Sequence, residues 1–134
     1  MAGQVFDSYA LLAYLRNEPG ADTVQAILEK AGGRGSNVMM SEVNYAEVQY
    51  ITRRKSGEHA WDQVAASLET LPIEFIPTSR DLADTAASFK VENRLSLADA
   101  FAAALAKQKK AGLVTGDKKF AALEKQVKIV WIGK

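Results

Sequence analysis

The sequence contains no cysteine and a single histidine, His59. Without cysteine there can be no disulfide, no thiolate metal site and no cysteine nucleophile. One histidine is too few for a zinc site built from several imidazoles. The charges also nearly cancel, with 17 Lys and Arg residues against 16 Asp and Glu residues. Net charge therefore gives no reason to expect nucleic-acid binding, which would need a local patch.

Long apolar segments are also missing. The longest apolar run, residues 98–106, is too short to cross a membrane and contains Asp99. The N-terminus lacks the basic start and apolar run of a signal peptide. There is no phosphate-binding loop ending in Gly-Lys-Ser/Thr and no G-x-G-x-x-G motif. We therefore expect a cytoplasmic protein that does not contact membranes and does not use either nucleotide-binding loop.

The apolar residues of the chain fall into short continuous runs that alternate with segments of helical spacing. The 134 residues, of which 48% are hydrophobic, suit a single domain spanning 1–134. Short apolar runs predict strands at 4–6, 37–40, 73–76, 113–115 and 127–132. Segments with helical spacing separate them, including one at 58–71 and one at 98–106 that is apolar on most sides. Strands alternating with helices indicate an α/β fold with a parallel sheet.

Four acidic residues lie at notable positions in these predicted strands and helices. Asp7 and Asp117 come directly after strands, and Asp99 begins a helix. Glu47 belongs to another predicted helix. It falls on the apolar stripe of that helix, which is formed by Val43, Ala46, Tyr50 and Ile51. Ligands of open α/β sheets bind at the carboxyl ends of the strands, so we expect the four acids to converge there with Glu47 facing inward.

Each aspartate also has a purely structural explanation. Asp7 could cap its helix, and Ser96 and Asp99 resemble a capping box. Asp117 could belong to a turn or cap the short helix that follows it. Glu47 is harder to explain, because a buried acid must be paired or bound to metal. Four oxygen ligands without histidine or cysteine would favour Mg²⁺ or Mn²⁺. Such sites typically polarise phosphoryl oxygens and activate water.

Several short motifs, in this order, resemble one family. They are Asp7-Ser8 after the first strand, Val43-Asn44-Tyr45-Ala46-Glu47-Val48, Leu97-Ala98-Asp99-Ala100, and Thr115-Gly116-Asp117 followed by Phe120. Across essentially its whole length the chain resembles a PIN-domain ribonuclease, and specifically a VapC-type toxin of a type II toxin–antitoxin pair. The resemblance implies a three-layer α/β/α fold with a five-stranded parallel sheet in the order 3-2-1-4-5.

The resemblance also implies functional residues. It assigns the catalytic and metal-binding positions to Asp7, Glu47, Asp99 and Asp117, with Mg²⁺ or Mn²⁺ as cofactor. Three polar residues match positions that line the family's site, namely Ser8, Asn44 and Thr115. Hydrolysis of RNA phosphodiester bonds, a cognate antitoxin that blocks the site, and a homodimer would follow.

Other interpretations remain open at this stage. The chain could be a PIN-domain nuclease of RNA processing, a non-catalytic module that binds RNA or protein, or a phosphatase of small molecules. Candidates for contact with the RNA backbone are Lys118, Lys119, Arg53 and Arg54. A solvated surface that also complements a helix dipole is the preferred explanation of these four charges, because such residues are usually exposed.

Overall fold

The computed structural model describes residues 3–133. The strands in this part of the chain are β1 (Gln4–Phe6), β2 (Val38–Ser41), β3 (Ile73–Ile76), β4 (Gly112–Thr115) and β5 (Ile129–Trp131). The helices are α1 (Ser8–Leu15), α2 (Ala21–Gly33), α3 (Glu42–Ser56), α4 (Glu58–Leu68), α5 (Arg80–Glu92) and α6 (Leu97–Lys109). A 3₁₀ helix, Lys118–Leu123, follows β4.

The five strands form one parallel sheet in the order β3-β2-β1-β4-β5. The predicted fold class and strand order are therefore confirmed. Strand β1 is central and pairs with β2 on one side and β4 on the other. The loops after β1 and β4 consequently leave the sheet side by side, and these loops begin with Asp7 and Gly116.

Helices cover both faces of the sheet. Val5 and Leu113, partners across β1 and β4, share a buried cluster with α5 and α6. Phe6 and Val114, the next pair, lie in a cluster with α1 and α2. A third cluster joins α1, α3 and α4 around Trp61. Successive residues of a strand point to opposite faces, and this alternation produces the three predicted layers.

Helix α6 is buried along most of its length, as predicted. Every residue from 100 to 106 is buried, and five of these seven residues are alanines. Small side chains allow the helix to lie close to the sheet. Among the described residues, 3–133, no helix has both the length and the apolar character needed to cross a bilayer.

Some predicted boundaries were wrong. Helix α4 ends at Leu68, not at residue 71, and Thr70 Oγ1 donates a hydrogen bond to the carbonyl of Ser67 there. Pro72 follows, and proline disfavours helical geometry in the residue before it. Strand β5 is shorter than 127–132, and β2 starts and ends one residue later than 37–40.

The predicted buried stripe on α3 was also wrong. The residues of this helix that are buried are Asn44, Val48 and Thr52. Ala46 and Tyr50, which were expected to face inward, are exposed, and Glu47 is only half-buried. The helix presents two polar side chains to its neighbours, so a pattern of hydrophobicity alone identified the wrong face.

Candidate active site

Asp7 is the most buried of the four acids, with a relative exposure of 1%. It is the N-cap of α1, and its Oδ1 accepts a hydrogen bond of 2.8 Å from the backbone N–H of Ala10. Its Oδ2 accepts a short hydrogen bond from the hydroxyl of Thr115 at the end of β4. The same hydroxyl oxygen accepts a bond of 3.0 Å from the N–H of Asp117. Thr115 therefore connects two of the acidic residues.

Burial raises the pKa of Asp7 to about 7, since water no longer solvates the charged form. The hydrogen bonds from Thr115 and Ala10 oppose this shift, because they stabilise the carboxylate. The negative charges of Asp99 and Asp117 raise the pKa further. Near neutral pH, Asp7 is thus a buried group that is only partly ionised, and a nearby cation would favour its charged form.

Asp99 lies in the first turn of α6. Its backbone N–H donates to Oγ of Ser96, the N-cap residue, at 3.1 Å. Partial burial raises the pKa of Asp99, and so do the charges of Asp117 and Glu47. Hydrogen bonding with Ser96 and the positive charge of Lys119 act in the opposite direction. Asp99 therefore lies close enough to Asp117, Glu47 and Asp7 for their charges to interact.

The four acids form what we call the acidic edge: Asp7, Glu47, Asp99 and Asp117. The charges of Asp99 and Asp117 raise the pKa of Asp7, and the charges of Asp117 and Glu47 raise the pKa of Asp99. Of the residues that the structure describes, none carries a positive charge within ion-pair distance of these carboxylates. Within 3–133, no three acidic or histidine side chains are arranged as they stand to hold a metal ion.

Hard oxygen donors are nevertheless what Mg²⁺ and Mn²⁺ prefer, and mutually repelling carboxylates are relieved by a cation. The chemistry of the donor set therefore fits such an ion. Sharing one ion among three carboxylates would require their side chains to move closer together.

Asn44 fixes the helices that carry these acids. It is fully buried, and its Nδ2 donates to Ser8 Oγ in α1 at 3.2 Å and to the carbonyl of Ala98 in α6 at 3.1 Å. The hydroxyl of Ser8 donates to the carbonyl of Asn44 at 3.3 Å. Because Ser8 follows Asp7 and Ala98 precedes Asp99, this network sets the spacing of the two aspartates.

Ser41 belongs to the same network and was not among the predicted site residues. Its hydroxyl donates to Asn44 Oδ1 at 2.6 Å and accepts from the backbone N–H of Asn44 at 3.1 Å. Ser41 is the N-cap of α3 and completely buried. The spacing Ser41-x-x-Asn44 is typical of an N-cap and could have identified it.

The predicted backbone-contact residues lie in two different places. Lys118 and Lys119 are exposed and directly follow Asp117, and the N–H of Lys119 donates to Asp117 Oδ1 at 3.0 Å. Arg53 instead forms an ion pair of 2.7 Å with Glu58, and Arg54 lies 5.1 Å from the ring centroid of Tyr50. The two arginines lie in the last turn of α3, about 9 Å along the helix axis from Glu47. The lysines are thus closer to the acidic edge.

The raised pKa of Asp7 predicts how stability depends on pH when metal is removed with a chelator. The folded pKa of about 7 exceeds the unfolded value of ~3.9. Between these values the folded state binds the additional proton, so the free energy of unfolding should rise as pH falls from 8 towards 5. Over this range the gain should be about 3 kcal/mol at most. Thermal melts over this pH range would measure it.

Asp7→Asn keeps the capping oxygen but cannot ionise, so its stability should depend less on pH and exceed that of the parent at pH 8. Asp62→Asn, at an exposed position of α4, should preserve the parent's profile. An unchanged pH dependence in Asp7→Asn would contradict the assignment.

Solved structures with the same fold cover nearly all of the chain. A toxin–antitoxin complex from Klebsiella pneumoniae matches with a TM-score of 0.71 and 22% identity over 96% of both chains. VapBC2 from Rickettsia felis, bound to a DNA fragment from its promoter, matches with a TM-score of 0.76 and 18% identity over 95% of this chain and 96% of that one. VapC20 from Mycobacterium tuberculosis, a toxin that cleaves the sarcin–ricin loop, matches with a TM-score of 0.71 and 19% identity over 90% and 94%.

At these identities the likeness establishes the fold alone. No curated protein matches the sequence. The family profile described as "PIN domain" matches residues 5–126. This range contains β2, β3, β4, most of β1 and all four residues of the acidic edge. The chain belongs to the PIN-domain family.

Proposed function

We propose that this protein is a metal-dependent endoribonuclease that hydrolyses RNA phosphodiester bonds at the acidic edge. One observation carries the proposal. Asp7 is a fully buried carboxyl group with two further aspartates close enough to raise its pKa. Helix capping alone gives no reason for three acids to lie this close, whereas a hard cation bound through oxygen ligands would offset their mutual repulsion. Membership of the PIN-domain family supports the same function.

We propose the following roles for the individual residues. Asp7 and Asp99 would hold Mg²⁺ or Mn²⁺, and Asp117 and Glu47 would complete the site directly or through water. A bound ion of this kind polarises a phosphoryl oxygen and lowers the pKa of water. Thr115 keeps the Asp7 carboxylate in one orientation through its hydrogen bond. Lys118 and Lys119 would attract the RNA backbone, and Arg53 and Arg54 remain more distant candidates.

We further propose that the protein is the toxin of a toxin–antitoxin pair and acts in the cytoplasm. The structures from Klebsiella pneumoniae and Rickettsia felis are toxin–antitoxin complexes, and the Mycobacterium tuberculosis protein is an RNA-cleaving toxin. By analogy, a cognate antitoxin would cover the acidic edge and prevent cleavage. A homodimer is proposed on the family resemblance alone.

Asp7→Asn and Asp99→Asn should each lower the rate of RNA cleavage about 100-fold or more. Loss of even an outer partner of a metal ligand typically costs ~10–100-fold, and these changes would remove a ligand charge itself. Cleavage of a mixed pool of single-stranded RNA with Mn²⁺ would be measured, with circular dichroism to check folding. Asp62→Asn provides the matched control on an exposed helix and should cleave like the parent.

Full activity in folded Asp7→Asn and Asp99→Asn would disprove the proposed metal site. Binding of RNA without cleavage by the parent would favour a non-catalytic module. Hydrolysis of a generic phosphate ester but not of RNA would favour a small-molecule phosphatase.

Expression in bacteria tests the toxin role separately. Expressed alone, the parent should arrest growth and reduce translation, since cleavage of RNA would remove components of protein synthesis. Asp99→Asn should not do so at the same expression level. Growth curves and incorporation of labelled amino acids would be compared. Equal growth arrest by Asp99→Asn would show that the harm does not come from cleavage.

A further inference from the structure

We propose that a cavity beside the acidic edge binds one nucleobase of the RNA by stacking it against Tyr9 and Trp131. We call this cavity the base pocket, and its principal lining residues are Tyr9, Pro19, Gly116, Lys118, Trp131 and Ile132. This inference rests on the proposed ribonuclease function and extends it to how the strand is held. A stacked base would fix the position of the neighbouring phosphate relative to the carboxylates.

The base pocket adjoins the acidic edge through the chain itself. Gly116 separates Thr115, which is bonded to Asp7, from Asp117. Tyr9 lies two residues after Asp7, in the first turn of α1. The cavity has a volume of about 750 Å³, within the roughly 300–1,000 Å³ of pockets that bind small ligands. It is therefore large enough for a nucleoside and near enough to the acids for the same strand to occupy both.

Tyr9 forms one wall at a fixed position. A Cβ atom at Gly116 would lie 2.3 Å from Tyr9 Cε1 and 2.6 Å from Cζ, so the ring packs directly against the glycine backbone. No other residue would permit this approach. Tyr9 still exposes 42% of its surface. An aromatic ring that is held from one side and open on the other is suited to stacking.

Trp131 forms a second aromatic wall. It ends β5, where it is the register partner of Thr115, and it is 40% exposed. Its Nε1 donates a hydrogen bond of 2.8 Å to Glu124 Oε2, which limits rotation of the indole. Exposed tryptophan and tyrosine side chains are the groups on which single-stranded nucleic acids stack their bases. Because the strand pairing fixes Trp131 relative to Thr115, it is also fixed relative to Asp7.

The charge of the lining favours a nucleotide. Lys118 is exposed, lies on the rim and directly follows Asp117. None of the described lining residues is acidic, in contrast to the neighbouring acidic edge. A cation beside apolar and aromatic walls matches a base with its attached phosphate. An apolar protein segment would use the walls but leave Lys118 without a partner, so RNA is the occupant we infer.

The experiment combines a change in the protein with a change in the RNA. Trp131→Leu and Tyr9→Leu remove the aromatic faces but keep apolar bulk. In a short single-stranded RNA that the parent cleaves, each nucleotide near the cut is replaced in turn by an abasic one. At one position the abasic change should lower kcat/KM for the parent by about 5- to 150-fold, the usual range for loss of a stacked base.

Trp131→Leu should lower kcat/KM by a similar factor on intact RNA and should be insensitive to the abasic change at that position. Such non-additivity indicates direct contact, and a merely structural role for Trp131 would not produce it. Trp131→Phe should retain most of the activity. Val91→Ala, at an exposed apolar position of α5 remote from the base pocket, should behave like the parent.

Binding of the same RNA, measured by fluorescence anisotropy in the Asp99→Asn background, separates this inference from the proposed function. If the parent cleaves RNA while Trp131→Leu, Tyr9→Leu and the abasic changes have no effect, the base pocket is refuted and the nuclease stands. If RNA binds and the two variants weaken binding but the parent never cleaves, the pocket stands and the nuclease is refuted. If a protein partner loses affinity for the variants while RNA does not, the occupant is protein and the inference is wrong. Absence of both binding and cleavage overturns both.

Discussion

The buried carboxyl group of Asp7 is the constraint on which the rest of this structure depends. Asp7 directly follows the central strand β1 and lies between the first turn of α1 and Thr115 of β4. Its carboxylate accepts a hydrogen bond from each. These bonds orient the group but do not neutralise it, and burial together with Asp99 and Asp117 raises its pKa to about 7. The fold therefore holds a carboxyl group that ionises less readily than usual, and a nearby cation would favour its charged form.

Structural and functional explanations of the acids are compatible. Asp7 caps α1, Asp117 caps the 3₁₀ helix, and Asp99 occupies the third position after the N-cap Ser96. Each of these three aspartates is thus placed by the start of a helix, and the parallel sheet brings those helix starts to one edge. Capping defines where the backbone begins to turn, and the free lone pairs of the same oxygens remain available to a ligand. The buried network around Asn44 then fixes the helices relative to one another.

The order of elements and the strand order could be predicted because alternating strands and helices leave few topologies, and the motif resemblance selected one of them. The three aspartates could be placed because a residue that ends a strand or starts a helix has a defined location. Glu47 was assigned to a buried stripe that does not exist, since α3 buries Asn44 and Thr52 instead. Tyr9 and Trp131 were not foreseen, because only the folded chain brings the start of α1 beside the end of β5.

The most direct test of the central claim is the number of protons released when Mn²⁺ binds. Calorimetry at one pH in buffers of different ionisation enthalpy measures this number. Because a cation must displace the proton from Asp7, binding should release a fraction of a proton from this group at pH 7 and a smaller fraction at pH 8, since its pKa is about 7. Binding without proton release at pH 7, or no binding at either pH, would contradict the account.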